Sequence, residues 1–203
     1  MIFDLHVHTD ISDCSVLTLE DILNNAGLQG LDGVCITDHG SMDVRNRLQE
    51  GVQPNGLCVL FGSEYETPDG DFLVFGPFEE LEPGLPAARL LATVVQQGGA
   101  AVAAHPFRGE RPVSQWLVEE GLCRIVETVN GRNTPEENLK VRHWRTKYRF
   151  AECGGSDAHS LGELGRAATR FSVPVRTRPE LVRALSTGLC RPVTIQPQCL
   201  SAG

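Results

Sequence analysis

The sequence predicts an α/β protein with a largely parallel sheet. Short apolar runs alternate along the chain with amphipathic segments of helical length. Several of the helical segments also begin and end on residues that start and stop helices. The apolar runs, moreover, tend to finish on His, Asp or Glu, as the C-terminal ends of strands in a parallel barrel do where they carry an active site.

The elements follow in order. IFDLHV at 2–7 reads as the first strand. Thr18 to Leu28 has Leu19, Ile22, Leu23 and Ala26 at helical spacing behind Thr18, a good N-cap. GVCITD at 33–38 is a strand, and residues 42–50 form a weaker, more polar helix. LCVLFGSE at 57–64 and DFLVFG at 71–76 are the next two strands. Pro86 to Gln97 starts on a proline and stops before Gly98-Gly99, as a helix should. AAVAAH at 100–105, RIVETV at 124–129, FAECGGSD at 150–157 and RFSVPV at 170–175 read as further strands. Val113 to Glu120, Pro135 to Arg149 and Pro179 to Thr187 read as helices between or after them. No linker, repeat or low-complexity stretch divides the chain. Residues 1–193 therefore read as one domain and 194–203 as an irregular C-terminal tail.

Composition narrows the class. A chain of 203 residues can bury a sizeable core, and 41% hydrophobic with 22% charged content fits a globular protein. No apolar run approaches the roughly 20 residues of a membrane span. The start, MIFDLHVH, lacks the basic and apolar regions of a signal peptide, so a cytoplasmic protein with no membrane partner is expected. The seven cysteines, Cys14, Cys35, Cys58, Cys123, Cys153, Cys190 and Cys199, contain no C-x-x-C pair and read as mostly buried free thiols. A formal charge of −8 argues against a long nucleic-acid grip. The two tryptophans, Trp116 and Trp144, fall in helices and read as packing residues, so there is no aromatic and basic stripe for single strands. No pattern specifies an oligomeric state.

His6 and His8 are two apart on a strand, so both rings face one way. The second run ends with Asp38 and His39, the third with Glu64, the fifth with His105 and the seventh with Asp157 and His159. Five of the six histidines lie at these ends; His143, within a helix, reads as a surface or packing residue. His, Asp and Glu without Cys suit zinc, manganese, iron or magnesium. A catalytic zinc takes about three protein ligands. About nine candidates converge here, so two or three divalent ions are expected, with Glu64 as a bridging carboxylate because it has two oxygens to share.

The motifs DLHVHT, ITDHG, AHP and GSDAH, in that order, resemble those of the PHP (polymerase and histidinol phosphatase) family, from Asp4 to about Arg166. The resemblance implies a distorted (β/α)7 barrel, a trinuclear metal centre and hydrolysis of phosphate esters. It implies that His6, His8, Glu64 and Asp157 hold one metal, and that Glu64 and His105 hold a second. Asp13, His39 and His159 would hold a third. Small members usually carry a histidine at the start of the run after the glutamate; here Asp71 stands in its place, as a harder ligand of the second metal favouring manganese, iron or magnesium.

These readings converge on an enzyme. Paired divalent ions would supply a bridging hydroxide to attack phosphorus, and no G-x-S-x-G elbow, P-loop or cysteine nucleophile pattern offers another route. Glu64, Asp157, His159 and Arg108 are the expected catalytic residues. Arg108, two residues beyond AHP, is the first choice for a phosphate clamp by its fork geometry, with Arg132 and Arg166 as further substrate-binding candidates. Asp4 and Asp38 are expected to orient histidines, and Glu127 and Asn130 to line the site. The expected substrate is a small phosphorylated metabolite or nucleotide. The alternatives are a nuclease on short oligonucleotides, a non-catalytic metal-binding domain, and a C–N hydrolase using the same metals.

Overall fold

The computed structural model describes residues 1–195. Among these residues eleven strands build two sheets, and five α-helices accompany them. The first sheet has the strand order β11-β10-β1-β2-β4-β3 and the second β5-β6-β7-β8-β9. In the first, β1 (Ile2–Val7), β2 (Gly33–Ile36) and β4 (Cys58–Phe61) run parallel. Antiparallel strands β3 (Gly51–Val52), β10 (Ala167–Phe171) and β11 (Cys190–Thr194) flank them. In the second, β7 (Ala100–Ala103), β8 (Ile125–Asn130) and β9 (Ala151–Gly155) are parallel, while β5 (Ser63–Thr67) and β6 (Gly70–Phe75) form a hairpin at its edge.

The α/β class expected from the sequence is present; in place of one largely parallel sheet the strands form two mixed sheets, with no closed barrel among the described residues. Parallel pairing needs a long crossover. The link from β5 to β6 is only Pro68-Asp69, so that pair must be antiparallel. The two sheets have separate hydrogen-bond ladders, joined at one rim by two isolated parallel bridges, Val7 to Ala158 and His39 to Glu64. The run 57–64 is split by the same geometry. Gly62 marks the passage from one sheet to the other, and a Cβ there would lie 2.5 Å from the Phe75 ring. Glu64 consequently belongs to β5 in the second sheet.

The core lies in three apolar groups. Phe3, Leu5, Cys35, Leu60, Leu73, Phe75, Val102 and Cys153 fill the space between the sheets. α2 (Ala87–Gln96), the short α3 (Trp116–Glu119) and α4 (Pro135–Lys147) cover the second sheet through Leu90, Val94, Leu117, Val141 and Trp144. α1 (Leu19–Asn25) covers the first through Ile22, against Val34, Ile36 and Val59. α5 (Arg178–Ser186) packs Leu181 and Leu185 on the inter-sheet group.

Local chemistry explains the helix ends. Thr18 and Asp21 form a reciprocal capping box on α1, and Thr134 and Glu137 form another on α4. Residues 42–50 hold only a 3₁₀ turn, Asp43–Asn46, where a polar helix was expected. The strand expected at 170–175 lies earlier, and Val175 instead packs in the core. Thr194, assigned to the tail, ends β11; residues 196–203, including Cys199, lie outside the described residues. Cys35, Cys58, Cys123 and Cys153 are buried free thiols, and Cys14 is exposed. Trp144 packs in the core, whereas Trp116 is 42% exposed, with its Nε1–H on Asp69. His143 is exposed on α4. No helix of the described residues is long and apolar enough to cross a membrane.

Candidate metal centre

The strand ends of both sheets meet at the bridged rim, and their donors converge there. β1 carries a bulge between Asp4 and Val7, and β8 carries another between Glu127 and Val129. A bulge re-aims the side chains around it. His6 and His8 thereby bring their Nε2 atoms to 3.1 Å of each other. Glu64 lies between them and the other sheet: its Oε2 is 3.3 Å from His6 Nε2, 3.1 Å from His8 Nε2 and 3.3 Å from His39 Nδ1. Its Oε1 is 2.9 Å from His105 Nε2. Asp157 Oδ1 lies 3.4 Å from both His6 and His8.

Among the described residues three donor groups have the spacing to hold an ion: His6, His8 and Asp157; His6, Glu64 and His105; and His8, His39 and His159. Most of these side chains are buried, while His39 is 35% exposed and opens the site to solvent. Burying so many ionisable groups is costly unless they are paired or coordinate metal. The backbone is strained at two of them. His105 has φ 30° and Asp157 φ 58°, the left-handed region that side chains rarely adopt. His105 Nδ1 is also buried with no hydrogen-bond partner. An orphaned ring nitrogen, strained donor residues and a set of imidazoles and carboxylates without thiolate fit divalent cations.

Electrostatics sort these groups. Burial pushes His6 down, but the carboxylates of Asp157, Glu64 and Glu127 outweigh it and hold the ring well above the ordinary histidine range. Burial pushes Glu64 up, and His6, His105 and His8 reverse that, leaving its carboxyl well below the usual range. Asp157 is held low too, against its burial, chiefly by His6 and His8 and further by Arg108. His39 and His159 are lowered, first by burial and then through the neighbouring His8, which favours neutral rings with a free lone pair.

The surroundings include groups the sequence placed differently. Glu127 orients His6, accepting its Nδ1–H at 3.2 Å; it also accepts the His105 backbone N–H at 2.8 Å and Asn130 Nδ2 at 2.9 Å. Asp4 and Asp38 were expected to orient imidazoles; they hold backbone and hydroxyl groups instead. Asp4 accepts the N–H groups of Ser156 and Gly165, fixing the turn that presents Asp157, and burial pushes its carboxyl up to about 6. Asp38 accepts from Thr9 N–H, Thr9 Oγ1 and Ser12 Oγ, and Ser12 Oγ lies 3.4 Å from His8 Nδ1. These contacts link residues far apart in sequence, so no motif announces them. Gly155 allows a close approach: a Cβ there would lie 2.5 Å from His6 Cβ.

Two residues from the expected ligand set stand apart. Asp13 is exposed and belongs to none of the three donor groups; His8 takes its place beside His39 and His159. Asp71 is 4.0 Å from His105 Nε2, but both its oxygens receive Arg111, at 2.6 and 2.8 Å. Arg111 did not stand out in the sequence, because nothing there ties it to Asp71. Among the expected arginines, Arg108 Nη1 is 2.7 Å from Asp157 Oδ2, and its other nitrogens reach Asn130 and Asn133. Arg132 Nη1 is 3.0 Å from His159 Nδ1. Arg166 turns its Nε to the Gly162 carbonyl and makes no hydrogen bond or ion pair with a donor residue.

Comparison with known proteins agrees with this geometry. The PHP domain family matches residues 4–151, and a PHP-associated family matches residues 135–190. The protein MJ0417 of Methanocaldococcus jannaschii is 31% identical over 177 residues, covering 83% of this chain and 70% of that protein. Among solved structures, a Bacteroides vulgatus two-domain protein containing a predicted PHP-like metal-dependent phosphoesterase superposes with TM-score 0.71 at 17% identity. The match covers 96% of this chain and 65% of that one. The lesion-specific endonuclease PfuEndoQ of Pyrococcus furiosus superposes with TM-score 0.68 at 21% identity, over 94% of this chain and 57% of that one. These structural likenesses speak to the fold. With the four ordered motifs, the donors they bring to one rim and a family match over most of its length, the chain belongs to the PHP domain family.

Proposed function

We propose that this protein is a metal-dependent phosphoesterase acting on a small phosphorylated metabolite or nucleotide. The observation that carries the reading is Glu64, whose two oxygens face His105 on one side and His6, His8 and His39 on the other. A carboxylate so placed can join neighbouring cations. His6, His8, Glu64, His105, Asp157, His39 and His159 would hold two or three divalent ions, zinc, manganese, iron or magnesium. Bound there, such ions supply hydroxide near neutral pH and offset charge on the phosphoryl oxygens.

The chain's own residues do the rest. With an ion bound, Glu127 would hold the His6 proton on Nδ1 and leave Nε2 to the ion. Arg108 stands over Asp157, braced by Asn130 and Asn133, and brings a fixed positive charge to the rim for a phosphoryl oxygen. Arg132, beside His159, offers a second guanidinium on the same rim. Asp157 and His159 thus each connect the donor cluster to a phosphate-binding arginine. A nuclease acting on short oligonucleotides is the second reading, favoured by the likeness to PfuEndoQ; the net charge of −8 disfavours a long duplex.

Phosphate release tests this. A panel of phosphomonoesters, nucleotides and short oligonucleotides is incubated with manganese, zinc, magnesium or chelator, using the wild type and His6→Ala. Metal-dependent release that His6→Ala abolishes is the expected result. No release with any metal, despite two or more ions retained per chain, refutes phosphoester hydrolysis on this panel.

A further inference from the structure

Arg111 has no part in the proposed reaction, yet two carboxylates hold it beside the donor cluster. Its Nε and Nη2 make a two-pronged contact with Asp71, at 2.8 and 2.6 Å, and its Nη1 lies 3.4 Å from Glu66 Oε2. Asp71 is 4% exposed at the side chain, while Arg111 is 43% exposed. A buried carboxylate thus holds a guanidinium whose remaining surface faces solvent. Glu66 in turn lies 3.6 Å from His39, and Asp71 4.0 Å from His105, so this guanidinium stands at the mouth of the donor cluster. It faces the cluster from the β5–β6 side, whereas Arg108 and Arg132 approach from Asp157 and His159.

The donor count beside His105 is short without Asp71. His6 belongs to two of the three donor groups but has one ring nitrogen to give, since its Nδ1 faces Glu127. Used with His8 and Asp157, it leaves that position with Glu64 and His105 alone, fewer than the three protein ligands of a typical catalytic zinc site. Resting on the phosphoesterase reading above, we propose that Asp71 anchors Arg111 rather than a metal, and that Arg111 is an oxyanion-binding residue of the site. The Nη1 side of Arg111, not taken by Asp71, brings positive charge to the substrate where a fully liganded ion would otherwise provide it. This reverses the sequence expectation that Asp71 serves as a harder metal ligand.

Two quantities test the assignment without relying on turnover: tightly held metal per chain by elemental analysis, and the Kd of inorganic phosphate by calorimetry on the metal-loaded protein. The variants are Asp71→Asn, Arg111→Gln, their double variant and Arg111→Lys. Arg111→Gln is expected to weaken phosphate about tenfold or more, as loss of a charged hydrogen-bond donor does. Asp71→Asn is expected to weaken phosphate in the same direction with the wild-type ion count retained. The double variant should be no weaker than Arg111→Gln alone, because the pair acts as a unit. Arg111→Lys keeps the charge without the fork and should fall between. Loss of an ion in Asp71→Asn, or phosphate affinity in Arg111→Gln within about twofold of wild type, overturns the inference. If metal-loaded wild type binds no phosphate, the phosphoesterase reading fails as well; if all variants bind it equally, only the role of Arg111 fails.

Discussion

Glu127→Gln isolates the role of a residue that touches the donor cluster from behind. Glu127 Oε2 accepts two fixed donors, the His105 backbone N–H at 2.8 Å and Asn130 Nδ2 at 2.9 Å. The glutamine must therefore keep its carbonyl oxygen there and turn its NH₂ toward His6 Nδ1. That nitrogen then has to accept, which moves the ring proton to Nε2, where it blocks the lone pair facing His8 and Asp157. Replacing such partners of metal-binding histidines typically costs 10–100-fold in metal affinity, an order-of-magnitude figure. With the ion at about one hundred times the wild-type Kd, wild type gains about 2.7 kcal/mol of stability. The same linkage gives about 1.4 kcal/mol for a tenfold weaker variant and about 0.4 kcal/mol for a hundredfold weaker one. In a domain of this size each kcal/mol moves Tm by about 2–4 °C, so the metal-induced rise in Tm should shrink by roughly 3–9 °C. Thermal unfolding with and without metal, beside a chelator competition, measures it. A metal-induced rise equal to that of wild type, with equal affinity, would refute the tautomer argument.

Three further expectations follow from particular contacts. Asp13→Ala should retain the wild-type number of ions by elemental analysis, since Asp13 is exposed and outside the donor groups; loss of an ion would restore it as a ligand. Arg108→Ala should lower kcat/KM for the best phosphate ester by about tenfold or more, because it removes a positive charge held on Asp157 at the rim of the site, whereas Arg166→Ala should leave it within about twofold. Gly155→Ala should destabilise by about 1–3 kcal/mol in urea denaturation, because the new methyl meets His6 and Glu127 at 2.5 and 2.8 Å. Gly27→Ala, where a Cβ meets nothing within 4 Å, is the control and should be close to neutral.

The sequence by itself determined the α/β class, most of the strands and helices, and the residues that reach the site. Apolar alternation placed β1, β6 and β7, and the Thr18 and Thr134 caps placed α1 and α4, because these signals are local. Strand-end motifs named His6, His8, His39, Glu64, His105, Asp157 and His159, since a parallel layout sends strand ends to one rim. Only the tertiary structure decided how the strands divide between two sheets, for pairing depends on partners distant in sequence. It placed Glu64 at the crossing from one sheet to the other, beyond Gly62. It also separated Asp13 from the cluster, turned Glu127 onto His6 and joined Asp71 to Arg111, 40 residues along the chain. The last two are contacts across the fold between charged or polar side chains. Hydrophobic periodicity fixes which face of a strand is buried, but it carries no record of which carboxylate will meet which cation.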